Sequence, residues 1–142
     1  MAIRRFLNLE RRLDQQPDLK REYAKFIHEY EQLGHMKEVD VGPSEPPGSA
    51  YYLPHHCVLR PSSTTTKLRV VFDGSARTST GVSINDALKV APTVQNDLLS
   101  ILLNFRCYRY VFTTDIPKMF RQIELHPEDT PYQRILWRDD RS

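Results

Sequence analysis

Long apolar runs are missing from this chain. The longest cluster, Leu98 to Phe105, is broken by Ser100 and Asn104 and falls short of the ~20 apolar residues a membrane-spanning helix needs. The opening residues, Met1-Ala-Ile-Arg-Arg-Phe-Leu7, carry no apolar core of signal-peptide length. A soluble, intracellular protein with no membrane partner is therefore expected, with cytoplasm and nucleus not distinguished. Cysteine is scarce: Cys57 and Cys107 are the only two. Nothing suggests a secreted disulfide scaffold; one disulfide between the two stays open, and two buried free thiols in a reducing compartment are expected. Glycine is rare, at five residues against ten prolines. No glycine-rich phosphate loop is present, and the connections should be bent and loop-rich. Excess charge is missing too, the net value being +2. The distribution is uneven, with Arg4, Arg5, Arg11, Arg12, Lys20 and Arg21 near the start and Arg106, Arg109, Lys118, Arg121, Arg134, Arg138 and Arg141 near the end. Such basic surfaces permit nucleic-acid contact without demanding it.

What is present amounts to one domain or a piece of a larger one, at 142 residues. Ile3, Phe6, Leu7, Leu9 and Leu13 suit a short amphipathic helix. Pro17 and Asp18 restart a second helix, in which Leu19, Tyr23, Phe26, Ile27, Tyr30 and Leu33 recur at three- and four-residue steps. Gly34 stands where a left-handed residue ends a helix. His35 to Val39 reads as a strand, and the proline-rich stretch Val41 to Ala50 as a loop. Tyr51 to Arg60 and Lys67 to Asp73 read as two strands joined by the hydroxyl-rich turn Pro61 to Thr66. In the second strand Leu68, Val70 and Phe72 share one face, while Lys67, Arg69, Val71 and Asp73 share the other. Asn85 to Leu88 suits a single helical turn. A helix is predicted from Pro92-Thr93 through about Phe105, with Val94, Leu98, Leu99, Ile101, Leu102 and Phe105 on its apolar face. Gln133 to Arg138 reads as a further strand with Ile135 and Trp137 on one face. There is no internal repeat or linker.

The stretch Tyr108 to Leu125 carries the most chemistry. Tyr110, Val111, Phe112, Thr113 and Thr114 are β-formers, the run ends on Asp115, and Pro117 suits the first turn of a short helix carrying Phe120. A carboxylate at the carboxyl end of a strand can hold Mg²⁺, which takes oxygen ligands, waters and substrate phosphates. Asp before a proline-initiated turn can equally be an N-cap. Phe120 can be core packing, and Lys67 with Arg69 an exposed cationic pair. His55-His56-Cys57 looks like a ligand cluster, but adjacent strand residues point to opposite faces and no second Cys/His pair has zinc spacing. Asp139-Asp140 reads as part of a solvated tail.

Asp115, with Phe120 five residues on and Arg121-Gln122-Ile123 after it, resembles the first catalytic-aspartate motif of reverse transcriptases. Tyr51 to Ser63, Thr65 to Ser75, Gly81 to Leu88 and Tyr132 to Arg138 resemble, in order, blocks of the polymerase of BEL/Pao-class long-terminal-repeat retrotransposons. The resemblance runs from Lys20 onward. It implies an α+β fold: a partial right-hand polymerase with N-terminal helices, a fingers β-hairpin, one long helix and the first palm strands. Residues 1–109 would form the N-terminal helices and fingers, and residues 110–142 the start of the palm, in a single truncated reverse transcriptase domain. The implied activity of the parent enzyme is RNA-directed DNA synthesis by two-metal phosphoryl transfer. Its partners would be an RNA or DNA template–primer, a deoxynucleotide, and the remaining palm, thumb and RNase H regions; its cofactor would be Mg²⁺.

The same resemblance makes Asp115 a catalytic metal ligand, with the backbone of Ile116 a further ligand or a contact to the triphosphate. Arg69 and Lys67 would bind that triphosphate, which suits the planar guanidinium fork. Asp73, in register with an acidic position of the family, would be structural and orient Arg69. Phe120 would lie under the sugar and exclude a 2′-hydroxyl, and Arg121 and Gln122 would touch template or primer. Two departures count. The turn 61–66 carries no basic residue, and the aromatic-x-Asp-Asp hairpin of the family does not occur. A fragment inactive on its own is therefore expected; the alternative is a non-catalytic nucleic-acid-binding remnant of a transposable element.

Overall fold

The computed structural model describes residues 1–40, 46, 48–64 and 66–140. Much of the expected 41–50 loop, Thr65 of the hydroxyl-rich turn, and Arg141 lie outside them. The fold is mixed α+β, with four α-helices and one two-stranded antiparallel sheet among the described residues. The chain divides into two units, Met1–Ala87 with Leu125–Ser142, and Leu88–Glu124.

In the first unit, α1 (Ala2–Asp14) and α2 (Pro17–Gln32) form where the apolar spacing predicts them. Proline at the first position and Asp18 in the first turn suit the start of α2. Its end is a Schellman motif: Gly34 sits at φ +73°, its N–H donates to the carbonyl of Glu31, and that of His35 to the carbonyl of Tyr30. The two helices bury Leu9, Leu13, Leu19, Tyr23 and Ile27 together with Cys57. Full burial of a large apolar side chain contributes about 1.5–3 kcal/mol, which makes Leu13 and Tyr23, the most deeply buried, the centre of the core.

β1 (His55–Leu59) pairs with β2 (Leu68–Phe72), Cys57 opposite Val70 and Val58 opposite Arg69. Both strands are shorter than the sequence suggests, and the expected two-faced alternation holds. Leu68, Val70 and Phe72 are half-buried, whereas Arg69 and Val71 are exposed. Residues 51–53 meet the segment after the 3₁₀ turn Thr130–Gln133. Leu53 N–H donates to the carbonyl of Arg134, and Arg134 N–H to that of Tyr51. Ile135 and Trp137 then pack on the core. The expected strand over 133–138 is thus reduced to a single parallel bridge, Tyr52 to Arg134. His35 to Val39 is irregular rather than a strand; Met36 still packs on the core. The one-turn helix α3 (Ile84–Ala87) is held by a reciprocal cap, with Ser83 N–H bonded to Asp86 and Asp86 N–H to the Ser83 hydroxyl.

The second unit holds α4 (Leu98–Cys107), which starts later than Pro92. Asp97 caps it, accepting from the N–H and hydroxyl of Ser100 at 3.0 and 2.5 Å, so the cap and not the proline sets the first turn. No residue of α4 is buried; the expected apolar face exists in composition but is largely exposed, Val94 at 97%. Cys107 is exposed as well, and only Cys57 is buried; both are free. Residues 110–114 form no strand. Their β-propensity goes unused because no neighbouring strand among the described residues offers a ladder, and Phe112 is 91% exposed.

Candidate functional site

The sites named from the sequence fall in both units, and each is described where it stands. On the hairpin, α2 and the core take the inner face, which turns the other face outward. Lys67 and Arg69 are both exposed there. The register adds residues that linear spacing does not point to. Arg60 N–H donates to the carbonyl of Lys67 at 2.8 Å, so Arg60 continues the row of Val58, opposite Lys67, and His56 lies opposite Val71. The outward face therefore carries Arg60, Lys67, Arg69 and His56, with Val58 and Val71 between them. Only the strand pairing could bring Arg60 into this set.

Asp73 ends the same row. Its carboxylate takes Arg5 of α1 at 2.7 Å and the N–H and hydroxyl of Ser75 at 3.1 and 2.6 Å. The Ser75 hydrogen bonds and the Arg5 guanidinium hold its pKa below the usual carboxylate range. Asp73 is structural, as expected, but its partner is Arg5 and not Arg69. Arg69 is left without a carboxylate among the described residues.

The ligand-like run His55-His56-Cys57 resolves as its alternation demands. His55 and Cys57 are buried and His56 is exposed. His55 is structural: its Nε2 donates to the carbonyl of Leu136 at 2.8 Å, which leaves Nδ1 to accept the Tyr23 hydroxyl at 2.5 Å. Burial pushes the imidazole pKa down and the Tyr23 phenol pKa up. Asp139 is exposed, as a solvated terminal charge should be, and it also accepts from the Trp137 indole N–H at 3.1 Å and meets His28.

In the second unit Asp115 lies in an irregular segment and is exposed. Its carboxylate accepts no hydrogen bond among the described residues. It caps nothing: the 3₁₀ turn Met119–Gln122 that follows begins at Lys118, which sits in the left-handed region at φ 56°. That backbone conformation is costly for a non-glycine residue, and nothing in the sequence announces it. The turn carries Phe120 as expected, 83% exposed, so it is not core packing. Arg121 is half-buried. Gln122 Nε2 donates to the carbonyl of Pro117 at 3.4 Å. Ile116 is 55% exposed.

Among the described residues no three His, Cys, Asp or Glu side chains converge on a point that could hold a metal ion. A two-metal centre needs several carboxylates, and Asp115 alone does not make one. Compared with known proteins, the chain matches no family model, no curated protein and no solved structure. No helix among the described residues is long and apolar enough to cross a membrane.

Proposed function

We propose that the chain is the fingers and first palm portion of an RNA-directed DNA polymerase of the BEL/Pao retrotransposon type. The hairpin would be the fingers element, Arg69 and Lys67 the triphosphate contacts, Asp115 a catalytic carboxylate, and Phe120 the residue that selects deoxyribose. The observation that carries the reading is the state of Asp115 and Phe120. Both residues of the catalytic-aspartate motif are exposed and neither is spent on the fold. The outward hairpin face, cationic and free of carboxylates except the neutralised Asp73, supports a polyanionic ligand.

The chain by itself would be inactive on this reading, because among the described residues no further carboxylates converge with Asp115 on a metal centre. Further polymerase structure is its natural partner. Leu98, Leu99, Leu102, Tyr110, Phe112 and Ile123 are each more than half exposed, and an apolar surface of this kind marks a protein contact.

The test is a chimaera in which residues 1–142 replace the corresponding segment of an active BEL/Pao reverse transcriptase. Primer extension that survives the exchange and disappears with Asp115→Asn is expected. Equal extension by the Asn variant overturns the reading, as does a folded chimaera that binds primer–template yet adds no nucleotide.

A further inference from the structure

The outward side of α1 is unlike the rest of the surface. Along α1 stand four arginines and two carboxylates, Glu10 and Asp14, and Asp14 is met by Lys20 at 3.2 Å. Glu10 is turned inward, 7% exposed, and both its oxygens are taken by Arg138 at 2.7 and 2.9 Å. The charge that would neutralise the helix in a linear count is thus consumed at the back. Arg5 is occupied by Asp73. The other three are not. Arg4 and Arg12 have no partner among the described residues, and Arg11 has only a long contact to Asn8 at 3.5 Å.

Arg4 and Arg11 share one side, and Arg12 flanks it. Phe6, Leu9 and Leu13 face inward, and at 100° per residue Arg4, Asn8 and Arg11 lie on the opposite side, with Arg12 at its edge, about 90° round. Arg4 and Arg11 are seven residues apart, about 10 Å along the axis. The helix cannot swing away, because the Glu10–Arg138 fork, the buried leucines and the Phe6 contact with His55 fix it. Through Arg5 and Asp73 it also abuts the end of β2, whose outward row carries Arg69 and Lys67.

We infer that the outward face of α1, through Arg4, Arg11 and Arg12, is a second phosphate-backbone contact for nucleic acid, continuing the cationic track of the hairpin. It rests on the proposed function only for the choice of partner. The guanidinium fork suits phosphate oxygens, and such contacts are independent of sequence. An anionic lipid surface offers phosphate too, but a surface-lying helix sinks its apolar stripe into the bilayer. The stripe of α1 is already in the protein core, which favours nucleic acid.

The full chain is titrated against a fluorescent RNA–DNA duplex over a series of KCl concentrations, alongside three variants. In Arg4→Gln/Arg11→Gln/Arg12→Gln, the plot of log K against log salt should flatten by about 0.9 for each phosphate that the side chains cease to neutralise. The variant should melt as the parent does. Lysine at the same three positions should restore the slope. Arg60→Gln/Lys67→Gln/Arg69→Gln reports on the hairpin separately. A glutamine variant of α1 that folds and keeps the parental slope overturns the inference while leaving the hairpin reading intact; flattening by both glutamine variants supports it, and flattening confined to the α1 variant overturns the continuous track. Phosphatidylserine vesicles that compete the duplex off, with the same arginine dependence and greater avidity, overturn it as well.

Discussion

Tyr23 donates its hydroxyl proton to Nδ1 of His55 across 2.5 Å, and both residues are buried. Trp137 stacks on Tyr23 at 5.3 Å, while Phe6 and Phe72 flank His55. One hydrogen-bonded pair thereby ties α2, β1 and, through the Leu136 carbonyl, the 134–139 segment. Tyr23→Phe keeps the ring and deletes the donor, stranding Nδ1. A buried polar atom left unsatisfied costs about 1–3 kcal/mol. Urea unfolding should show that loss; a change below about 0.5 kcal/mol, the usual scale of a neutral substitution, would show the bond to be dispensable.

The same site sets an acid sensitivity. Burial lowers the pKa of folded His55, whereas the unfolded imidazole titrates near ~6.5. As pH falls, the unfolded chain therefore takes up the proton first. The stabilisation is complete above about pH 6.5 and is lost below it, until the folded imidazole also protonates. One proton gives at most about 1.4 kcal/mol per pH unit. Asp73, whose folded pKa is lowered, acts in a separate window: its contribution is lost only as pH falls below the unfolded carboxylate value of ~3.9. Urea midpoints taken down to about pH 5 should decline for the parent and stay flatter for His55→Gln. Identical declines would assign the effect elsewhere.

Arg138 closes a fork on Glu10 and lies over the Phe6 ring at 6.0 Å. Arg21, by contrast, meets Asp18 where both are open to water, and such pairs contribute little. Arg138→Ala should lower the melting temperature clearly, because it removes the two-pronged partner of an inward carboxylate. Arg138→Lys should fall between, keeping the charge but not the fork. Arg21→Ala should be indistinguishable from the parent in the same scanning experiment. Equal effects at the two arginines would contradict the assigned geometry.

Legibility in the sequence tracks how local each feature is. The spacing of Leu19, Tyr23 and Ile27 names the buried face of α2, and Gly34 names its end, because both are set within one helix. The alternation of Leu68, Val70 and Phe72 separates the faces of β2 for the same reason, and so places Arg69 outside. Residues 110–114 mislead because a strand exists only with a neighbour, and β-propensity carries no record of one. The start of α4 is misplaced because Pro92 reads as a helix opening as readily as the Asp97 cap does. Glu10 reads as one more surface charge until Arg138, far along the chain, turns it inward. At the candidate site the resemblance supplies the residues to look at, but the exposure of Asp115 and Phe120 and the addition of Arg60 are not legible in the sequence.

Asp115 allows function and fold to be separated. Its carboxylate supports no hydrogen bond among the described residues and caps no helix. Asp115→Asn in the isolated chain should therefore leave stability within about 0.5 kcal/mol of the parent. The same holds for Phe120→Ala, since the ring is already in solvent. In the chimaeric polymerase their effects should part. Asp115→Asn should abolish incorporation of every nucleotide, whereas Phe120→Ala should preserve incorporation and admit ribonucleotides, because the ring no longer crowds the 2′-hydroxyl. Thermal unfolding of the two isolated variants, run beside primer extension with deoxy- and ribonucleotides, checks both halves. If Asp115→Asn unfolds the chain, the carboxylate belongs to the fold; if Phe120→Ala leaves sugar discrimination untouched, the ring does not lie where the motif implies.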